Sequence, residues 1–359
     1  MNILFLTDLY PVTDEDIQTS KALKNFTDNF KNLGHNVQII RPNFLLNSFI
    51  RGKKFFKTGQ YKDVFNANYI TPFWFNVKNK LPKIDKYDMI ISHMPSGSIF
   101  ADNFFGKLIC GIHISDIKVL TNPIYSPYFK NKLLKSFKRA EKLVCRSYHI
   151  REKLLKLYPE FKDKTLVIPS GVDEKLIIKR KIDFEKNNSE NKIKVLTAAN
   201  LIKRKNIDKL IKACENFENI ELTVIGDGKE FKNLKNISKK PVFKGKLSHK
   251  DVLEEMKKSD IFILPSVNET FGLVYTEAMA GGCITVGTLN DGIDGIIQDG
   301  LNGFLTMPDK KSIEQTLQKI TNLNVSEVEQ ISQNCYYTIK NYTAENCAVK
   351  YLQAIINIL

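Results

Sequence analysis

The sequence predicts an α/β protein built from two doubly wound domains in tandem, and three observations carry that expectation. The chain has 359 residues, 43% of them hydrophobic, a length beyond what one compact core ordinarily supports. Short apolar runs alternate with longer amphipathic stretches, the order expected of parallel strands joined by helical crossovers. The alternation stops at residues 181–192, rich in Lys, Asn, Asp and Glu, and then starts again; such a polar run reads as a solvated connection. The expected boundaries are therefore 1–170 and 171–343, with a C-terminal helix over about 344–359 packing back on the first domain.

In the first domain, residues 3–6 read as a strand, and residues 23–33 carry a helical period that ends at Gly34. Strands follow at 37–40, 89–91, 108–110, 143–145 and 165–168. After the turn Pro169-Ser170-Gly171-Val172-Asp173 the second series begins with a strand at 194–198 and a helix at 207–214. A strand at 222–225 ends on Gly226-Asp227-Gly228, and a short strand lies at 242–243. A helix at 250–258, a strand at 261–264, a helix at 273–280 and a strand at 284–286 complete it. In sheets of this type, ligands lie outside the carboxyl ends of the strands, so residues just after strands are the functional candidates.

Composition narrows the class. No apolar run approaches the 18 residues of a membrane-spanning helix, and the N-terminus meets Asp8 too early for a signal peptide. Six cysteines without C-x-x-C spacing suggest buried thiols in a reducing, cytoplasmic setting. The formal net charge is +15. Residues 1–170 hold 27 Lys and Arg against 14 Asp and Glu, so almost all of the excess lies in the first domain. No zinc-finger, helix-turn-helix or RNA-motif signature accompanies this charge, which argues against nucleic acid. It suits an anionic membrane surface or an anionic substrate. Residues 127–140 form a helix-period stretch with Phe129, Leu133, Phe137 and Ala140 on one stripe, and residues 49–57 interleave aromatics with charge in the same way. Both fit peripheral contact with anionic lipid; an ordinary core-facing stripe is the alternative.

The richest constellation follows the strand at 261–264. There, Glu269-Thr270-Phe271-Gly272-Leu273 leads into a helix that carries Glu277. With Thr270 as N-cap, the free amides of Phe271, Gly272 and Leu273 would form an anion site suited to a phosphate. Glu277 would then accept bonds from ribose hydroxyls, unless it is simply a solvated helix residue. A second constellation, Asn200-Leu201-Ile202-Lys203-Arg204-Lys205-Asn206, puts cations at a strand end. There they can neutralise a leaving diphosphate. His113 follows an apolar strand, where a lone histidine is more often packed than catalytic.

These segments resemble glycosyltransferase family 4, the retaining GT-B enzymes. The stretch 269–280 resembles the family's two glutamates eight positions apart around Phe-Gly, followed by Glu-Ala-Met-Ala. Residues 168–173 resemble its I-P-N-G-V-D turn, 224–228 its G-x-G strand end and 299–305 its D-G-x-N-G-x-L loop. The resemblance spans essentially the whole chain. It implies a GT-B fold, with two Rossmann-like domains facing across a cleft, the first binding acceptor and the second the nucleotide-sugar donor.

By that resemblance Glu277 binds the donor ribose, and Glu269 holds the sugar. Lys205, Arg204, Asn200, Gly226, Phe271, Gly272 and Leu273 contact the nucleotide and diphosphate. His113 acts near the sugar, and His93 resembles a histidine of structural role. On the acceptor side stand Pro11 and Asp14, in the loop after the first strand, and Lys132 and Lys135 on the basic helix. Asn200 stands where the family has arginine, and Asn206 where it has glycine. Gly111 replaces the threonine of its T-x-H, and the first loop lacks its Gly-Gly.

The implied reaction moves a sugar, with retention, from a nucleotide-diphosphate-sugar (UDP favoured over GDP) to a hydroxyl of a glycan or lipid-linked acceptor. It would serve surface polysaccharide or glycolipid assembly at the inner face of the cell membrane, without metal or cofactor. The alternatives are a catalytically idle subunit that partners another glycosyltransferase and a non-hydrolysing nucleotide-sugar epimerase. A dehydrogenase is disfavoured, since no G-x-G-x-x-G follows the strands at 3–6 or 194–198.

Overall fold

The computed structural model describes residues 1–11, 22–44, 59–61, 64–70, 75–76, 87–124, 126–180, 182 and 192–356. The chain divides into two compact units, Met1–Ser170 with Ala344–Leu359, and Gly171–Thr343.

Among the described residues, the first unit is organised on a nine-stranded sheet. Its strands are β1 (Asn2–Leu6), β2 (Asn36–Phe44), β3 (Gly59–Tyr61), β4 (Val64–Ile70), β5 (Phe75–Asn76), β6 (Met89–His93), β7 (Leu108–Ile112), β8 (Lys142–Cys145) and β9 (Thr165–Val167). They run in the order β3-β4-β2-β1-β6-β7-β8-β9, with β5 paired to β4. All pairs are parallel except those made by the short strands β3 and β5. Ile3 through Leu6 and Met89 through Ile91 are all fully buried, which is why these strands read as continuous apolar runs. The order reverses between β1 and β6, and the loops after these two strands flank that switch point.

The helix Met94–Phe100, which the sequence reading omits, follows β6 directly. Its Gly97 allows it to lie against the end of β1, because a Cβ there would stand 2.4 Å from the Leu6 carbonyl oxygen. The strands β3, β4 and β5 are also additions; in β4 the asparagines at 66 and 68 break the apolar run that marks the other strands. The helix Ser126–Arg139 buries Leu133 and Phe137, and Ala140 just after it is buried too. Its apolar stripe therefore belongs to the unit's own core rather than to a lipid surface. Residues 49–57 lie outside the described residues. The C-terminal helix Ala344–Ile356 packs on Ala22–Asn32, with Tyr351 edge-on to Phe26 and Phe30 at 5.4 and 5.7 Å.

The second unit has a six-stranded, wholly parallel sheet: β10 (Ile193–Ala198), β11 (Ile220–Ile225), β12 (Val242–Gly245), β13 (Ile261–Ile263), β14 (Ile284–Thr288) and β15 (Phe304–Thr306). The order β12-β11-β10-β13-β14-β15 is the 3-2-1-4-5-6 arrangement of a nucleotide-binding sheet, and it reverses between β10 and β13. The helices Ile207–Cys214 and Leu273–Ala280 start where their apolar spacing places them. Two further helices, Lys310–Thr321 and Val325–Lys340, close the unit. The strand β15 falls where the resemblance places the end of the D-G-x-N-G-x-L loop. Its three residues are too few to show a period.

Candidate active site

In the second unit, the loops leaving β10 and β13 meet at the switch point of the sheet. The loop after β10 ends in a short 3-10 turn, Lys203–Lys205. Asn206 then caps the next helix with φ of 52°, a left-handed conformation that asparagine tolerates better than other non-glycine residues. This explains how asparagine serves where the family has glycine. Its side-chain amide adds a bond glycine cannot make, donating to the Pro265 carbonyl at 2.8 Å. In the same seam the Val267 amide donates to the Arg204 carbonyl at 3.0 Å.

Across the seam the charges converge on one atom. Glu269 Oε1 accepts from Lys205 Nζ at 2.5 Å, Arg204 Nη1 at 2.7 Å and Ser266 Oγ at 2.5 Å. Burial pushes the Glu269 carboxyl up, but the Lys205 ammonium, the Ser266 hydroxyl and the Arg204 guanidinium outweigh it and hold it below the usual carboxylate range. Burial also lowers the Lys205 ammonium, which Glu269 partly restores. The backbone of Asn268 and Glu269 is fixed in turn by Asp291, whose carboxylate accepts from both amides at 2.7 Å and from the Gly292 amide at 2.7 Å. Sequence reading missed Asp291; its position before a glycine in a turn was the available signal.

Asn200 is exposed. Its side chain lies against the Gly226–Gly228 turn, where a Cβ on Gly228 would stand 2.6 Å from its Oδ1. Gly226 has φ of 132°, and a Cβ on it would fall 1.8 Å from the Ala199 carbonyl oxygen. These glycines let the turn after β11 close on the loop after β10.

The helix that carries Glu277 begins at Leu273, as its apolar spacing predicts, but a different residue caps it. Gly272, not Thr270, is the N-cap, with φ of 87°, and a Cβ there would strike the Tyr275 ring at 2.6 Å. Phe271 turns its side chain into the core at 4% exposure. Among the described residues, the amides of Phe271, Gly272 and Leu273 donate to no protein acceptor, the usual condition of a helix start. Glu277 is the fifth helix residue and is not simply solvated: His249 Nε2 lies 2.8 Å from its Oε1.

In the first unit, His113 follows β7 and caps the helix Ile114–Thr121, its amide donating to Asp116 at 2.9 Å. Only 6% exposed, its Nε2 lies 3.0 Å from His93 Nδ1, and His93 Nε2 lies 3.3 Å from the Tyr351 hydroxyl. Burial, and next the Arg146 charge, lowers the His113 imidazole to about 3. His93 is pushed down by burial, His113 and Arg146. Both rings are neutral hydrogen-bonding groups at ordinary pH. Gly111 leaves room for this pair, since a Cβ on it would stand 2.0 Å from the His93 ring; a threonine in that place would displace it. Arg146, missed from sequence, is buried with its guanidinium over Phe26 at 4.6 Å and donates to Ser170 Oγ at 2.5 Å.

The acceptor-side candidates lie in the first unit. Pro11 is half-buried at the end of the described first loop, and Asp14 lies outside the described residues. Lys132 and Lys135 are exposed on the helix Ser126–Arg139, and Lys135 pairs with Asp102 at 3.1 Å. Among the described residues no cluster of three or more His, Cys, Asp or Glu suits a metal ion, and all six cysteines are free and buried. No helix among the described residues is long and apolar enough to cross a membrane.

Comparison with known proteins bears on the family and the fold. The family model described as "Glycosyltransferase Family 4" matches residues 20–176, and that described as "Glycosyl transferases group 1" matches 178–337. An uncharacterized glycosyltransferase of Methanocaldococcus jannaschii is 28% identical over 282 residues, 73% of each chain. The N-acetyl-alpha-D-glucosaminyl L-malate synthase of Bacillus anthracis is 29% identical over 55% of this chain and 54% of its own, so that match spans about half of each. Among solved structures, Anabaena HepE in complex with UDP superposes with a TM-score of 0.72 at 17% identity, covering 99% of this chain and all of the other. The lipopolysaccharide outer core galactosyltransferase WaaB superposes with a TM-score of 0.72 at 16% identity over the whole of both chains. The fold is GT-B. With adjoining family models over both units, the chain belongs to glycosyltransferase family 4 and is a transferase enzyme.

Proposed function

We propose that this enzyme moves a sugar, with retention at the anomeric carbon, from a nucleotide-diphosphate-sugar to a hydroxyl of a glycan or lipid-linked acceptor. The observation that carries the reading is the convergence of Arg204, Lys205 and Glu269 at the switch point, next to the helix start at Gly272. As the anomeric C–O bond breaks, charge develops on the departing diphosphate. Two fixed cations and three unoccupied amides are suited to receive it. Glu269, ionised and held by three donors, is placed to accept from a sugar hydroxyl, and Glu277 from the ribose. The acceptor oxygen then bonds the anomeric carbon, and its proton leaves with the diphosphate or to solvent.

UDP is the favoured nucleotide: among the solved structures of like fold, Anabaena HepE is in complex with UDP-glucose. His113, neutral and anchored by His93, orients the sugar or acceptor as a hydrogen-bonding group rather than by titrating. The basic first unit suits an acceptor presented at an anionic membrane, and a role in surface polysaccharide or glycolipid assembly follows from that charge. Arg204 speaks against the idle-subunit reading, since it supplies a cation that the Asn200 position lacks. The test is incubation with a panel of UDP- and GDP-sugars, with and without acceptor glycolipids, without added metal. Anomeric configuration of any product is read by NMR. An α-linked product from an α-linked donor supports the proposal; sugar isomerisation without acceptor would instead indicate an epimerase.

A further inference from the structure

We infer that His249 is a positioning residue for donor recognition, holding Glu277 in the orientation that reads the nucleotide's ribose; this rests on the reading of Glu277 above. His249 opens the helix His249–Lys258, whose N-cap Ser248 accepts from the Asp251 amide. Its Nε2 lies 2.8 Å from Glu277 Oε1. An ionised carboxylate only accepts, so Nε2 carries the hydrogen and the ring donates. Among the described residues Glu277 Oε2 has no protein partner. One oxygen is pinned and the other is left for a ligand.

The geometry around the pair is stiff. The helix of His249 packs on the helix Leu273–Ala280. At the far end of that contact Met256 is fully buried, and a Cβ on Gly281 would stand 3.1 Å from the Met256 Cβ. Cys283 Sγ also donates to the Met256 carbonyl at 3.0 Å. His249 thus approaches Glu277 from a fixed base, while its own side chain is 53% exposed and fills no core space. A mere brace between two helices at such an exposed place contributes little to stability. A carboxylate whose rotamer is fixed before binding loses less freedom when two ribose hydroxyls dock.

The experiment uses the full chain and four proteins: wild type, His249→Ala, His249→Gln and Glu277→Ala. Each is titrated with UDP and GDP and with the 2′,3′-dideoxy form of each. The wild type is expected to prefer one ribonucleotide over its dideoxy counterpart, and Glu277→Ala to erase that preference. His249→Ala is expected to narrow it by about threefold to tenfold, the loss of one hydrogen bond's worth of orientation. It should do so by weakening the ribonucleotide while the dideoxy affinity stays. His249→Gln, whose amide still donates, should retain it. If Glu277→Ala loses the preference and His249→Ala keeps it, whatever happens to the melting temperature, His249 is only a brace and the inference is overturned. If Glu277→Ala also keeps it, or neither nucleotide binds, the reading of Glu277 fails first and the inference falls with it.

Discussion

The side-chain amide of Asn206 donates to the main-chain carbonyl of Pro265 at 2.8 Å, joining the loop after β10 to the loop after β13. Asn206 has a left-handed backbone, so its replacements separate backbone strain from the lost bond. Asn206→Gly keeps the backbone conformation and removes the side-chain bonds, to Pro265 and, at 3.3 Å, to the Arg204 carbonyl, and should cost about 1 kcal/mol. Asn206→Ala adds the left-handed penalty and should cost about 2–3 kcal/mol in total. Denaturant unfolding of the two variants side by side checks the order; equal losses would contradict it.

Lys205 and Arg204 share Glu269 Oε1 but differ in setting, since Lys205 is 9% exposed and the Arg204 side chain is 39% exposed. Lys205→Ala should lower turnover by about 10²–10³, the typical loss of a preorganised donor at developing charge. Arg204→Ala should cost less than Lys205→Ala, because its guanidinium is partly solvated. The rates under saturating donor decide this ranking.

Gly226→Ala should destabilise the second unit severely. The added methyl would meet the Ala199 carbonyl oxygen at 1.8 Å, at a φ of 132°. Relief requires parting the turn after β11 from the loop after β10. A loss above about 3 kcal/mol is expected, read as a lowered melting temperature.

Acid stability follows from the buried histidines. His113 is lowered to about 3 and His93 is lowered well below the ordinary value, in both cases chiefly by burial. Below about pH 6.5 the unfolded chain binds protons at these sites that the fold refuses, so stability falls as pH drops. Asp116 acts the other way: burial raises its carboxyl, and the fold takes that proton first. With two lowered histidines against one raised aspartate, the net effect is a loss of stability as pH falls below about 6.5. Urea unfolding at a few pH values between about 7 and 5 tests this. His113→Asn should flatten that slope.

Family and fold were legible because they reside in contiguous residues. The run at 261–264 and the glutamates at 269 and 277 lie within one short stretch, and parallel strands buried on both faces declare themselves as apolar runs. Elements held by context were not legible. In β4, Asn66 and Asn68 interrupt the run, and the helix Met94–Phe100 is built around Pro95 and Gly97 because it must approach Leu6 closely. The same divide runs through the site. Glu269, Lys205 and Arg204 can be named from sequence, because the short stretches that hold them resemble the family's motifs. Asp291 beneath the Glu269 backbone and Tyr351 beside His93, 258 residues away, are visible only once the chain is folded.

We propose that the second unit holds a nucleoside diphosphate between the cations of the β10 loop and the helix bearing Glu277. Thermal stabilisation by UDP and GDP, without metal, tests it most directly on wild type, Lys205→Ala and Glu277→Ala. At about 100 times Kd the bound nucleotide adds about 2.7 kcal/mol, or roughly 2–4 °C in a protein of this size. We predict that one diphosphate gives this shift in the wild type and that each variant loses most of it. No shift from either nucleotide at millimolar concentration, or an undiminished shift in both variants, would contradict the account.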